Sequence, residues 1–426
     1  MRRAGLALAA GVAASVVVVT GPPATAYDEA PDCQEIQDSD LTSYTTTAPS
    51  LPLREMEVDR AVARLHQLGL KAGAGVVVAV LDSGVSPDAP IAVAGTELAG
   101  VKQQRPSDYH GTAVAGLIAG KPRSPQDGGA VGIAPAAQIY DVRVYDSPDA
   151  PVDSPDQSPM TVENLRAGLD AVIAAAPAAG IRIVNMSLAV PPDDEIRAKV
   201  EQLWDMGVVV VAPTGNRGEL PADMPAEFET HRAGEDAAPY VHPADYDHVL
   251  GVSATPLGAD NPDPTAYVLE NSMTDVAAPT AGAISYSLHG APCPLDVPAT
   301  SYATAEVSGV LALLQSAYDE PVAASVRRLL TAANGRPDIP NTLVGAGEVE
   351  AFAALTRPML VDQDGTDLTS GTVVQEPQVL SVPEEPADVL ASTRDSAVWW
   401  GLVGGGLLVL VVVLRPVLAR RRRTVR

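Results

Sequence analysis

The stretch VVVAVLDSGV, residues 76–85, decides the fold. Six consecutive apolar residues suit a strand covered on both faces, and Asp82, followed by Gly84 to free the turn, marks where that strand ends. Runs of the same kind recur downstream: AQIYDVRVY (137–145), IRIVNMSL (181–188), VVVVA (208–212), HVLGVSA (248–254) and TDVAA (274–278). Helical patterns lie between several of them, among them TVENLRAGLDAVIAAA (161–176) and DDEIRAKVEQLWDM (193–206). Strand and helix in alternation predict an α/β fold: a doubly wound, mainly parallel sheet with helices on both faces. In such a sheet, functional side chains gather beyond the carboxyl ends of the strands.

The 426 residues, 46% hydrophobic, supply ample apolar surface for one large domain. Residues 1–26 read as a signal peptide, with Arg2 and Arg3, an apolar run over 5–19, and Ala24-Thr25-Ala26 as the cleavage pattern. Residues 27–56 are rich in Pro, Thr and acids and predict an extended N-terminal arm, with order beginning near Glu57 and the folded domain running over 57–357. An acidic, Pro-containing stalk is expected over 358–396. Residues 397–414 carry no charge, enough to cross the ~30 Å hydrocarbon layer as a helix. A buried core helix is the rival reading. The flanks favour the membrane: Trp399 and Trp400 stand at one edge and the Arg-rich tail, 415–426, at the other, which places the body outside and the C-terminus in the cytoplasm.

Charge is distributed unevenly. Two of the 28 basic residues belong to the signal and six to the tail, leaving 20 against 53 acidic residues, a net of −33 for the exterior part. That sign excludes nucleic acid as a partner. The two cysteines, Cys33 and Cys293, admit one pairing; an oxidising exterior favours that disulfide over two free thiols, and two thiols cannot complete a four-ligand zinc site.

Four residue types stand at the ends of four elements. Asp82 ends the strand 76–81. His110 opens the helix HGTAVAGLIAG. Asn216 follows VVVVA, and Ser301, within VPATSYATAEVSG (297–309), starts a helix. Singly each has an ordinary explanation, since Asp and Ser cap turns and helices and Asn favours turns. Together they are what acyl transfer needs: a hydroxyl nucleophile, a base, a carboxylate to orient the base, and a donor for the oxyanion.

The phrases VAVLDSGV, HGTAVAGLIAG, GIAPAAQIYDVRV, NMSL, VVVVAPTGN, HPADYDHVLGVSA, DVAAPTAG and ATSYATAEVSGV, in that order, resemble the subtilisin-like serine proteases over about residues 57–335. The resemblance implies Ser301 as nucleophile, His110 as general base and Asp82 as its orienting carboxylate. It further implies an oxyanion hole from Asn216 and the Ser301 backbone N–H, and a substrate cleft along Ser187, Leu188 and Ala189. With its arm, stalk, single span and Arg tail, the chain also resembles the mycosins, membrane-anchored proteases of type VII secretion systems. This implies protein or peptide substrates, a secretion membrane complex as partner, and an arm wrapped on the domain, fastened near Ser301 by Cys33–Cys293.

Two departures bear on activity. Ala299 and Ala305 stand where the family usually has Gly and Pro. If position 299 needs a positive φ, Ala there costs about 1 kcal/mol or more and displaces Ser301. A second function therefore stays open beside the endopeptidase: a structural subunit that uses the peptidase fold as a docking surface. His242, Asp245, Asp247 and His248 resemble a structural turn of the family, and no DxDxDG loop occurs, so no metal or cofactor is expected.

Overall fold

The computed structural model describes residues 32–34, 36, 46–217, 234–335 and 340–359, together with 399–400, 402–407, 409–410 and 415. The chain divides into two compact units, Met1–Leu380 and Ser381–Arg426. In chain order the first contains α1 (Leu51–Glu55), α2 (Val58–Gln67), β1 (Val77–Asp82), β2 (Val93–Leu98), α3 (His110–Ala119), β3 (Gln138–Arg143), α4 (Val162–Ala179), β4 (Ile181–Asn185), α5 (Asp194–Asp205) and β5 (Val209–Pro213). It continues with β6 (Val249–Thr255), β7 (Val276–Pro279), β8 (Ala283–Tyr286), β9 (Pro292–Leu295), α6 (Thr300–Ala317), α7 (Val322–Ala332) and α8 (Ala351–Thr356).

Seven strands form one sheet in the order β2-β3-β1-β4-β5-β6-β7, each pair parallel. The order reverses at β1, with β3 on one side and β4 on the other, so a crevice opens beyond the carboxyl end of β1. Alternate residues of β1 show why the run had to be apolar throughout. Val78 and Val80 join the core formed with α3 and α6, whereas Val77, Ala79 and Leu81 join the core formed with α4 and α5. The helices over the second face are amphipathic and capped, α4 by Thr161 and α5 by Asp193. Helix α6 is buried along 300–314, packed between the sheet and neighbouring helices, which explains its apolar character on every side.

Three features differ from the expectations. The end of the arm is helical at Leu51–Glu55 and packs on the domain, so the extended reading fails there. Leu51 N–H donates to Gly282 C=O, and Leu53 is buried in the core. Strand β2 and the antiparallel pair β8–β9 have no counterpart among the predicted strands. The signal peptide, residues 218–233, and all but the first two residues of the stalk lie outside the described residues. The apolar C-terminal stretch is helical at 399–400, 402–407 and 409–410, while among the described residues no helix is long and apolar enough to cross a membrane.

Candidate active site

Asp82 closes β1 at the crevice and is completely buried. Four hydrogen bonds converge on its carboxylate: Ser83 N–H at 2.7 Å and the Tyr145 hydroxyl at 2.8 Å on Oδ1, and His110 Nδ1 at 2.9 Å from each oxygen. The charge is thus compensated without solvent. An Nδ1 facing a carboxylate from both sides carries the proton, which leaves Nε2 as an acceptor.

His110 is fixed from behind as well. It begins α3, whose first N–H groups lack partners within the helix. The Asp108 carboxylate accepts from His110 N–H at 2.8 Å, and the Ser83 hydroxyl accepts from Gly111 N–H at 2.9 Å while donating to Asp108 C=O at 3.1 Å. The turn after β1 and the start of α3 are therefore tied to one another. Burial raises the Asp108 carboxyl above its ordinary range, opposed by the neighbouring His110. Arg143, buried at the end of β3, donates to Ser83 C=O at 3.1 Å and braces the same turn.

Ser301 lies in the first turn of α6 and is 9% exposed. Ser301 and His110 line the same cleft of about 500 Å3, together with Asn216, Ser187, Leu188 and Ala189. Asn216 Oδ1 accepts from Thr300 N–H at 2.8 Å and from the Thr300 hydroxyl at 3.0 Å. Two donors on one atom identify it as the amide oxygen, so Nδ2 is the atom left to donate in the cleft. Ser187 also has a task the motif did not reveal: its hydroxyl donates to Ser301 C=O at 2.7 Å and accepts from Asn185 Nδ2 at 2.9 Å, steadying the helix start from below.

The departures at 299 and 305 are accommodated. Ala299 has φ −142° and ψ 131°, extended backbone open to any residue, so the strain expected there is absent. Ala305 is buried within α6 and keeps the backbone N–H that proline would lack. Cys33 and Cys293 form a disulfide across 260 residues. His242 and His248 part company: the first pairs with Asp245 at 2.5 Å, the second stacks on Trp204 at 4.7 Å. No group of three potential metal ligands occurs among the described residues.

This chain order and this layout are matched elsewhere. The Peptidase S8 profile, described as the subtilase family, matches residues 73–347. The chain belongs to the subtilase family. It is a serine endopeptidase of the mycosin-like kind. This subtilase is 31% identical to Mycosin-1 of Mycobacterium tuberculosis over 82% of its own length and 85% of that protein. Among solved structures, MycP1 from Mycobacterium smegmatis is similar with a TM-score of 0.57 and 25% identity, over 81% of this chain and 91% of that one. A second, the serine protease MycP1 that is an essential component of the type VII (ESX-1) secretion system, has a TM-score of 0.56 and 27% identity, over 74% and 90% of the two chains.

Proposed function

We propose that this subtilase is a membrane-anchored, extracytoplasmic endopeptidase that cleaves protein or peptide substrates through an acyl-enzyme formed on Ser301, beside a type VII secretion complex. The observation that carries the reading is the fully buried Asp82 carboxylate gripping His110 Nδ1 at 2.9 Å, in one cleft with Ser301 and Asn216. Ser301 Oγ attacks the scissile carbonyl carbon and passes its proton to His110 Nε2. Negative charge on the carbonyl oxygen is met by Asn216 Nδ2 and by the Ser301 N–H, which lies in the first turn of α6, where a helix offers its N–H groups no partner one turn back. The C–N bond then breaks as His110 returns the proton to the leaving amine, and water releases the acyl group by the same steps in reverse order.

Anchoring rests on the uncharged stretch 397–414, with Trp399-Trp400 at one edge and the Arg-rich tail beyond the other, which puts the domain outside and the C-terminus inside. The secretion context rests on the similarity to MycP1, an essential component of the type VII (ESX-1) secretion system. The test is labelling of the full-length protein with a fluorophosphonate probe. Wild type should be labelled and Ser301→Ala should not. A folded wild-type protein that stays unlabelled would favour the docking-subunit role over proteolysis.

A further inference from the structure

The cleft is lined by four aspartates, Asp32, Asp108, Asp149 and Asp296, and among its described lining residues there is no lysine or arginine. Their placement matters more than their number. The apolar recess of Ala189, Val241 and Leu269 adjoins Gly215 and hence Asn216. A substrate whose carbonyl oxygen reaches Asn216 lays its acyl half at that end, so its leaving half must pass His110, which protonates the amine. The wall there is aromatic. Tyr302 holds its ring 5.6 Å from the imidazole, and its hydroxyl meets that of Tyr109 at 3.0 Å.

Asp32 and Asp108 act on this same point. Both line the cleft together with Tyr109 and Tyr302, and they add to the burial and the Tyr109 contact that hold the Tyr302 phenol well above its ordinary range. Asp32 comes from the N-terminal arm and is held by its neighbour: Cys33 is bonded to Cys293 and donates its N–H to Pro294 C=O at 3.2 Å. The Asp32 carboxylate in turn accepts from Gln34 N–H at 3.2 Å, and Gln34 also lines the cleft.

We propose that the disulfide-pinned arm completes the leaving-group side of the cleft, where Asp32 and Asp108, set about the Tyr109–Tyr302 wall, select substrates with lysine or arginine in the first positions after the scissile bond. The inference rests on the endopeptidase reading and names its substrate class. A lysine or arginine stem lies along aromatic faces while its charged head reaches the carboxylates. A concave wall of one sign focuses its field, so the preference reaches beyond contact distance and weakens with salt. A glutamate in the same place meets like charge and is rejected.

The experiment uses the full-length protein and peptides that wild type cleaves, varied to Lys, Gln or Glu after the scissile bond. Lys should exceed Gln by about tenfold in kcat/KM, and Gln should exceed Glu, with the spread narrowing in high salt. Asp32→Asn should cut the Lys-to-Gln ratio about threefold, and Asp32→Lys should turn the order toward Glu. Rates within twofold for all three peptides, or a ratio that neither variant moves, would overturn the proposal while leaving proteolysis intact. Loss of fluorophosphonate labelling and of all turnover would instead strike the endopeptidase reading. A separate arm needs no turnover: Ser301→Ala protein should bind Ala-rich decapeptides bearing two Lys more tightly than those bearing two Gln or two Glu, by fluorescence anisotropy. Equal binding of the three sinks the subsite on its own.

Discussion

Ala299 stands where subtilisin-like proteases usually carry glycine, at an extended φ of −142° that asks nothing special of the backbone. Restoring glycine would add freedom to the unfolded chain without relieving any strain in the folded one. Ala299→Gly should therefore lower stability by about 0.5–1 kcal/mol in urea titrations and change kcat/KM less than about twofold. A large gain in turnover would mean that Ala299 does hinder Ser301. Asp141 offers a second residue-level test. It is buried on β3, accepts from Val85 N–H at 3.2 Å, and burial pushes its carboxyl up to about 7. Because that lies above the unfolded value of 3.8, the folded state holds the extra proton: the contribution is complete below pH ~4 and is lost as pH rises through about 7. Between pH 5 and 8 this amounts to roughly 2–3 kcal/mol. Asp141→Asn should shrink the difference between urea midpoints at those two pH values, and an unchanged difference would count against it. At this scale Asp82, His110, Asn216 and Ser301 were legible because each stands at the boundary of an element, whereas Tyr145 on Asp82, Thr300 on Asn216 and Tyr109 against Tyr302 join residues of different elements. Such pairs depend on how elements pack, which no local pattern encodes.

The strands that the sequence announced are those buried on both faces, where an uninterrupted apolar run is a physical necessity. Strand β2 escaped because it is the sheet edge: VAGTEL is mostly exposed, holds a Gly and a Glu, and so lacks the run. The β8–β9 pair escaped for another reason, since its four-residue strands are short and Pro292 and Pro294 interrupt the second. Helix α3 was legible through its small residues, and their spacing has a consequence for catalysis. A Cβ on Gly111 would fall 2.7 Å from Gly84 N, 2.8 Å from Gly84 O and 3.1 Å from Asp82 Cβ, all on the turn that holds the carboxylate. Gly111→Ala should push the start of α3 away from β1. We expect a loss of about 1–3 kcal/mol in stability and, because a displacement of about 1 Å between reacting groups can cost 100-fold, a fall in kcat of that order with KM little changed. Steady-state kinetics beside a thermal melt will check both; normal kcat in a destabilised protein would show that α3 yields without moving His110.

For the whole molecule, the formal net charge of −25 is a load of self-repulsion that the compact state must withstand. The Cys33–Cys293 bond acts against it from the unfolded side. It closes a loop of 260 residues, and on chain-entropy grounds a loop of that length is worth about 5 kcal/mol at most, with structure in the unfolded chain reducing the figure. The pairing was accessible from a count of two and its place near Ser301 only through the family resemblance; the fold alone reveals that β9, which carries Cys293, has Cys33 N–H bonded to its Pro294 C=O. Replacing both cysteines by alanine should lower stability by about 2–5 kcal/mol, read as a drop in Tm that disappears when wild type and variant are compared under full reduction. If the arm serves only to stabilise, Lys-bearing and Gln-bearing peptides should slow in equal proportion in that variant at a temperature where it stays folded. If the arm also supplies Asp32 to the cleft, the Lys-bearing peptide should slow more, because the carboxylate leaves the wall beside Tyr302 along with the arm that carried it.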